Sequence, residues 1–210
     1  MRTSKEKTTD RLLVLYTIND CYERHNLRAL SETKVQKLVF LSEKRLIDNR
    51  IKAFNYHFIR LLHPTFSSEL RNDLTSFISL GYLSEPWLGQ TNRMTMILED
   101  FNDVFQRNRH ILSIIDDVIS KYASVPTDRL VQIVYRMPWL SKTVIDLKIG
   151  VPMLYPLKEE KAREVFDITE DELADLEICL NPKLSQDLDQ AFDEMRKGRL
   201  LSHAEVFGKL

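Results

Sequence analysis

The stretch 33–45, TKVQKLVFLSEKR, constrains the chain more than any other. Val35, Leu38, Val39, Phe40 and Leu41 form a broad apolar stripe at helical spacing, which predicts a helix docked into a core. Ser31 or Thr33 stands where a side-chain oxygen can accept from the free backbone N–H groups at the helix start. Lys34, Lys37, Lys44 and Arg45 are expected to face water. The stretch therefore reads as a core helix with a basic outer surface, and nothing in it points to chemistry.

Its 210 residues suffice for one large domain, or one domain and a small appendage. Only five glycines occur, below the usual share of about 7%, which favours helices over a glycine-rich phosphate-binding or dinucleotide-binding fold. No run approaches the roughly 20 apolar residues of a membrane-spanning helix, and residues 1–10 lack the apolar core of a signal peptide. Cys21 and Cys179, far apart in sequence, read as two ordinary buried thiols in a reducing cytoplasm, with a disulfide as the alternative. A cytoplasmic chain with no membrane association is expected.

Charge is unevenly spread. Residues 1–155 hold 22 Lys/Arg against 17 Asp/Glu, a net of +5; residues 156–210 hold 8 against 14, a net of -6. A mildly basic body at 1–155 with an acidic helical tail at 156–210 is the expected organisation, the boundary falling near 155–168.

Along the body, Asp10 is expected to cap a largely buried helix over 11–24. Phe54, Tyr56 and Phe58 alternate with Asn55 and His57, the period of a strand. His63-Pro64-Thr65 breaks that strand. Ser67 or Ser68 starts a helix over 67–80 that Gly81 ends. Residues 82–85 and 93–98 read as a two-stranded ribbon. A long helix at 99–122, a short one at 127–136 and an irregular stretch at 138–157 follow. The fold class expected is mainly α with a small antiparallel sheet, a winged-helix-like helical domain plus a C-terminal helical tail. In the tail, Thr169 and Glu172 have capping-box spacing. Leu184, Leu188, Ala191, Phe192 and Met195 form a narrow apolar stripe flanked by acidic residues, ended by Gly198.

Glycine-rich phosphate loops, C-x-x-C, H-E-x-x-H and G-x-S-x-G are all absent from the sequence. His25, His57, His63, His110 and His203 show no metal-ligand spacing. No catalytic residue, cofactor or metal is expected. If the ribbon is a wing, the helix at 67–80 takes the place of a recognition helix. Candidate DNA contacts are then Arg71, Asn72 and Thr75 on that helix, Arg93 on the wing, and Lys34 and Lys37 on phosphate.

Residues 34–43, KVQKLVFLSE, resemble the K-x-Q-K-L-x-[YF]-x-x-E helix of the Panacea domain, also called the SocA-like antitoxin domain. Phe58 and the segment His63-Pro64-Thr65-Phe66-Ser67-Ser68-Glu69-Leu70 resemble a later stretch of that family, with His63-Pro64 standing where the family has Gly-Pro. Residues 80–83 and 130–135 fit its order. The resemblance spans about residues 10–150. It implies a predominantly helical fold and an antitoxin or toxin-linked adaptor role without catalytic residues. The tail separately resembles the C-terminal region of small bacterial antitoxins through Ala191, Gly198, Arg199, Ser202, His203, Glu205 and Val206. Candidate partner-binding residues are accordingly Leu184, Leu188, Phe192, Met195, Arg199, His203, Val206 and Phe207. The expected partner is a cognate toxin or other regulated protein. The alternative is a winged-helix regulator of its own operon bound to operator DNA, and a homodimer is a further candidate assembly.

Overall fold

In the computed structural model the described residues are 2–27, 29–61, 65–139, 142–181, 190, 193–194 and 196–197. Among them the architecture is mainly α, with short strand pairs at the edges of a helical core. Helix α1, Ser4–Glu23, is capped by Thr3 in a reciprocal arrangement with Glu6. That box starts the helix two turns earlier than an Asp10 cap would. Asp10 is instead an interior helical residue, fully buried.

Helix α2, Glu32–Asp48, is capped by Ser31, which accepts from the Lys34 N–H. Val35, Leu38, Val39, Phe40 and Leu46 are at most 1% exposed, and α2 packs against α1, α3 (Ser68–Ser79), α6 (Arg109–Tyr122) and α7 (Thr127–Tyr135). Each such side chain is worth roughly 1.5–3 kcal/mol of burial, so this helix is the centre of the core. Helix α3, Ser68–Ser79, is capped by Ser67 and followed by Gly81 at φ +73°. That left-handed position favours glycine at a helix end.

The strand pairs are β1 (Ile51–Lys52) with β8 (Glu164–Val165), parallel; β2 (Phe58–Ile59) with β7 (Pro152–Leu154), antiparallel; β3 (Leu83–Ser84) with β4 (Gly89–Gln90), antiparallel; and β5 (Pro138–Trp139) with β6 (Lys142–Thr143), antiparallel. Helix, helix, strand, helix, ribbon is thus the order at the start of the chain, as expected for a winged-helix-like domain. Two local readings are corrected. Residues 54–57 carry no ladder pairing: Phe54, Tyr56 and Phe58 are buried, but so is Asn55, because its amide meets Asp10. The ribbon is short, and Arg93–Leu98 lies in helix α4, Asn92–Asp100, whose cap Thr91 accepts from the Met94 N–H.

The helix expected over 99–122 is interrupted. Phe101 separates α4 from α5, Asn102–Arg107, and Asn108 separates α5 from α6, Arg109–Tyr122; both residues have ψ near +18°. Helix α7, Thr127–Tyr135, follows as expected.

Past residue 155 the chain continues into the same core. Strand β8 pairs with β1, and helix α8, Glu170–Leu180, packs on α1. Phe166, Ile168, Leu173, Leu176 and Leu180 are buried members of the common cluster. The capping box of Thr169 and Glu172 is formed. Cys21 is buried and Cys179 half-buried, both as free thiols. No helix among the described residues is long and apolar enough to cross a membrane.

Candidate functional site

Five of the six candidate DNA contacts, Lys34, Lys37, Arg71, Asn72 and Thr75, lie on α2 and α3. Lys34 and Lys37 do not face water: they are 6% and 2% exposed. The Lys34 ammonium donates to the Ala123 carbonyl at the end of α6, and the Lys37 ammonium to the Thr65 carbonyl at 3.0 Å. Burial lowers both amines from their ordinary range, Lys37 to about 8. Between them Gln36 binds the backbone of Ser67 twice, donating to its carbonyl at 2.9 Å and accepting its N–H at 2.9 Å. The K-x-Q-K segment is therefore a clamp. Three long polar side chains on one helix satisfy carbonyls and an N–H in segments 28 to 89 residues away.

Arg71 is exposed on α3, with Nε donating to Glu32 at 2.8 Å and the guanidinium 4.6 Å from the centre of the Phe66 ring. Asn72 and Thr75 are also exposed, Thr75 Oγ1 donating to the Arg71 carbonyl at 3.0 Å. Arg93 stands on α4 rather than on a wing strand, stacked 4.9 Å over Tyr82. Arg71, Asn72 and Thr75 thus share a helix with no contribution from Lys34 or Lys37. The tail candidates Leu184, Leu188, Phe192, Met195, Arg199, His203, Val206 and Phe207 lie outside the described residues.

A buried ionic cluster lies beside the α2–α3 junction, where the start of α1 meets α3. Arg2 donates to Asp10 at 2.8 Å and to Asp73 at 2.9 Å, and its guanidinium sits 4.5 Å from the Tyr56 ring centre. Tyr56 donates its hydroxyl to Asp73 at 2.9 Å, and Asn55 donates to Asp10 through both its backbone and its amide. Burial pushes the Asp10 carboxyl up to about 7, against the pull of Arg2 and Asn55. It also pushes Glu43, fully buried beneath, well above the carboxylate range, with Asp10 adding to the effect. These groups compensate one another inside the protein and hold the α1–α3 interface.

At the edge of the cluster Glu69 accepts the His57 backbone N–H and lies 3.1 Å from His57 Nδ1. Such a carboxylate orients an imidazole. Among the described residues no hydrogen bond joins this pair to a serine, threonine or cysteine side chain, so no nucleophile–base relay is assembled. No cluster of three metal-ligating side chains occurs among them either. The ionic cluster was not foreseeable from spacing, since Arg2, Asp10, Tyr56 and Asp73 are far apart in sequence. Comparisons of the chain with protein-family models, with curated proteins and with solved structures gave no significant match.

Proposed function

We propose that this chain is a non-enzymatic cytoplasmic antitoxin or toxin-linked adaptor, which neutralises a partner protein by binding and occlusion. One observation favours protein contact over nucleic acid. The two lysines best placed in sequence for phosphate are buried and hydrogen-bonded to backbone carbonyls, away from the surface that a nucleic-acid backbone would contact. Without them the remaining α3 face offers Arg71 already paired to Glu32, whereas DNA binding draws much of its affinity from free cations at phosphates. The Panacea-like segment 34–43 and the antitoxin-like tail supply the partner class. In the tail, the stripe of Leu184, Leu188, Phe192 and Met195 suits helix-in-groove binding, in which apolar anchors carry the affinity and flanking charge sets encounter and register.

The test is purification of the chain from its native host, identification of any stoichiometric partner, and calorimetry of that pair. Replacing Leu188 and Phe192 by Asp is expected to weaken partner binding at least about tenfold, roughly 1.4 kcal/mol, with thermal unfolding of the body unchanged. Unchanged affinity in this double variant overturns the assignment of the tail.

A second reading, operator binding through α3, rests on the exposure of Arg71, Asn72 and Thr75 on one helix. It requires affinity for upstream DNA that falls steeply with salt and drops when Arg71 and Arg93 lose their charge. DNA binding that is absent, or indifferent to salt, removes it.

A further inference from the structure

A cavity of about 470 Å³ opens where the first turns of α2 and α3 meet the turn at residues 149–150. Leu61, Phe66 and Ile149 supply its apolar wall, with Ile149 59% exposed; Lys37, Arg71 and Glu32 supply its charges. The Lys37 ammonium is buried with the Thr65 carbonyl as its hydrogen-bond acceptor, and it makes no ion pair with a carboxylate among the described residues. Glu32, on the same helix, acts on it through space but is hydrogen-bonded to Arg71 Nε at 2.8 Å. A buried ammonium facing a carbonyl alone is poorly compensated, because a dipole replaces only part of the lost hydration. Two cations and one carboxylate therefore border an apolar, partly open hollow. That combination complements a ligand with an apolar body and one negative end.

We propose that this cavity binds a small organic acid, its carboxylate paired with Lys37 and its apolar body against Leu61, Phe66 and Ile149. Arg71, stacked on Phe66 and hydrogen-bonded through Nε to Glu32, forms the rim. The site stands on the α2 clamp and does not depend on the tail or on any partner protein.

The probe is sodium octanoate titrated calorimetrically into the full chain, with octanol as the uncharged control. Octanoate is expected to bind at least about tenfold more tightly than octanol, since the alcohol lacks the charge. Lys37→Met is expected to abolish that preference. Ile149→Glu, at the exposed rim and away from the clamp, places a carboxylate beside the ligand. It is expected to weaken octanoate at least about tenfold while circular dichroism stays unchanged; this variant carries the test if Lys37→Met does not fold. A tetrapeptide ending in a free leucine carboxylate separates the sources of such a ligand: binding of octanoate alone identifies a free acid, and binding of both extends the same site to a chain terminus. Equal affinity for octanoate and octanol, undiminished binding to Ile149→Glu, or no heat with octanoate at about 1 mM, a bound near −4 kcal/mol, overturns the proposal.

Discussion

Gln36 and Ser67 hold each other through a closed pair of hydrogen bonds, side-chain amide to backbone, each 2.9 Å long. Both residues are at most 2% exposed, and Ser67 is also the cap of α3. The position of α3 against α2 is therefore set by an amide on one helix reading the peptide group that starts the other. Gln36→Leu preserves volume but strands the buried Ser67 N–H, at about 1–3 kcal/mol, while the Ser67 carbonyl keeps the Arg71 N–H at 3.2 Å. Urea unfolding is expected to show a loss of about 1–3 kcal/mol. Gln36→Glu, which keeps the acceptor, is expected to lose the donor to the Ser67 carbonyl and to bury a charge besides.

Arg2 neutralises two carboxylates at once, Asp10 and Asp73, whose side chains are 0% and 4% exposed. Removing one partner of a buried ion pair costs about 3–5 kcal/mol because the other charge stays behind. Arg2→Met is expected to destabilise by that order. Adding Asp10→Asn is expected to restore part of the loss, a coupling that a double-mutant cycle reads directly. The penalty is also expected to shrink as pH falls toward 7: without the pull of Arg2, Asp10 in the variant takes up its proton above the value of about 7 that it has in the native chain, and then no longer needs a counter-charge.

Lys37 gives the pH dependence of stability a definite sign. Burial lowers its amine from 10.5 in the unfolded chain to about 8 in the folded one. Between these values the unfolded chain holds the proton and the folded chain does not, so unfolding takes up a proton and stability rises with pH. The gain from pH 8 to 9 is about 1 kcal/mol. Cys21, raised to about 12 by burial, acts in the opposite direction above its ordinary value near 9. Denaturant midpoints for the native chain and Lys37→Met between pH 8 and 9 separate the effect: the native chain is expected to gain about 1 kcal/mol more than the variant, in which Lys34, also lowered by burial, and Asp10 still titrate.

Much of the helical frame was legible in the sequence because caps and apolar periods are local. Ser31, Ser67, Gly81 and the pair Thr169–Glu172 stand where the sequence places them. Arg93–Leu98 has the period of a strand because Met94, Met96 and Leu98 alternate, yet it is helical. Met94, Ile97 and Leu98 form the helical face that is buried, and Met96 is left 63% exposed. The breaks at Phe101 and Asn108 carry neither glycine nor proline, and periodicity runs through them. Spacing alone puts Lys34 and Lys37 on a solvated face, because their acceptors, the carbonyls of Ala123 and Thr65, are distant in sequence. A lysine that reaches across a core differs from one in water only through its acceptor, which composition and spacing do not reveal.

Asn108 shows how the segment past residue 155 is fastened to the helices. It is 3% exposed, its amide donates to the carbonyls of Val104 at 2.8 Å and Asp167 at 2.6 Å, and its side-chain oxygen accepts the Asp167 N–H at 2.6 Å. Arg107 beside it binds Asp167 and Glu172 at the surface, where such pairs contribute about 0–1 kcal/mol. The buried amide is the stronger tie. Asn108→Ala removes three bonds and leaves the Asp167 peptide group unpaired, at about 2–4 kcal/mol. The loss falls on a local unit, so amide hydrogen exchange is expected to accelerate over 164–180 more than in α2. Arg107→Ala is expected to leave those rates nearly unchanged. Equal acceleration throughout the chain in Asn108→Ala would show instead that the segment unfolds only with the whole core.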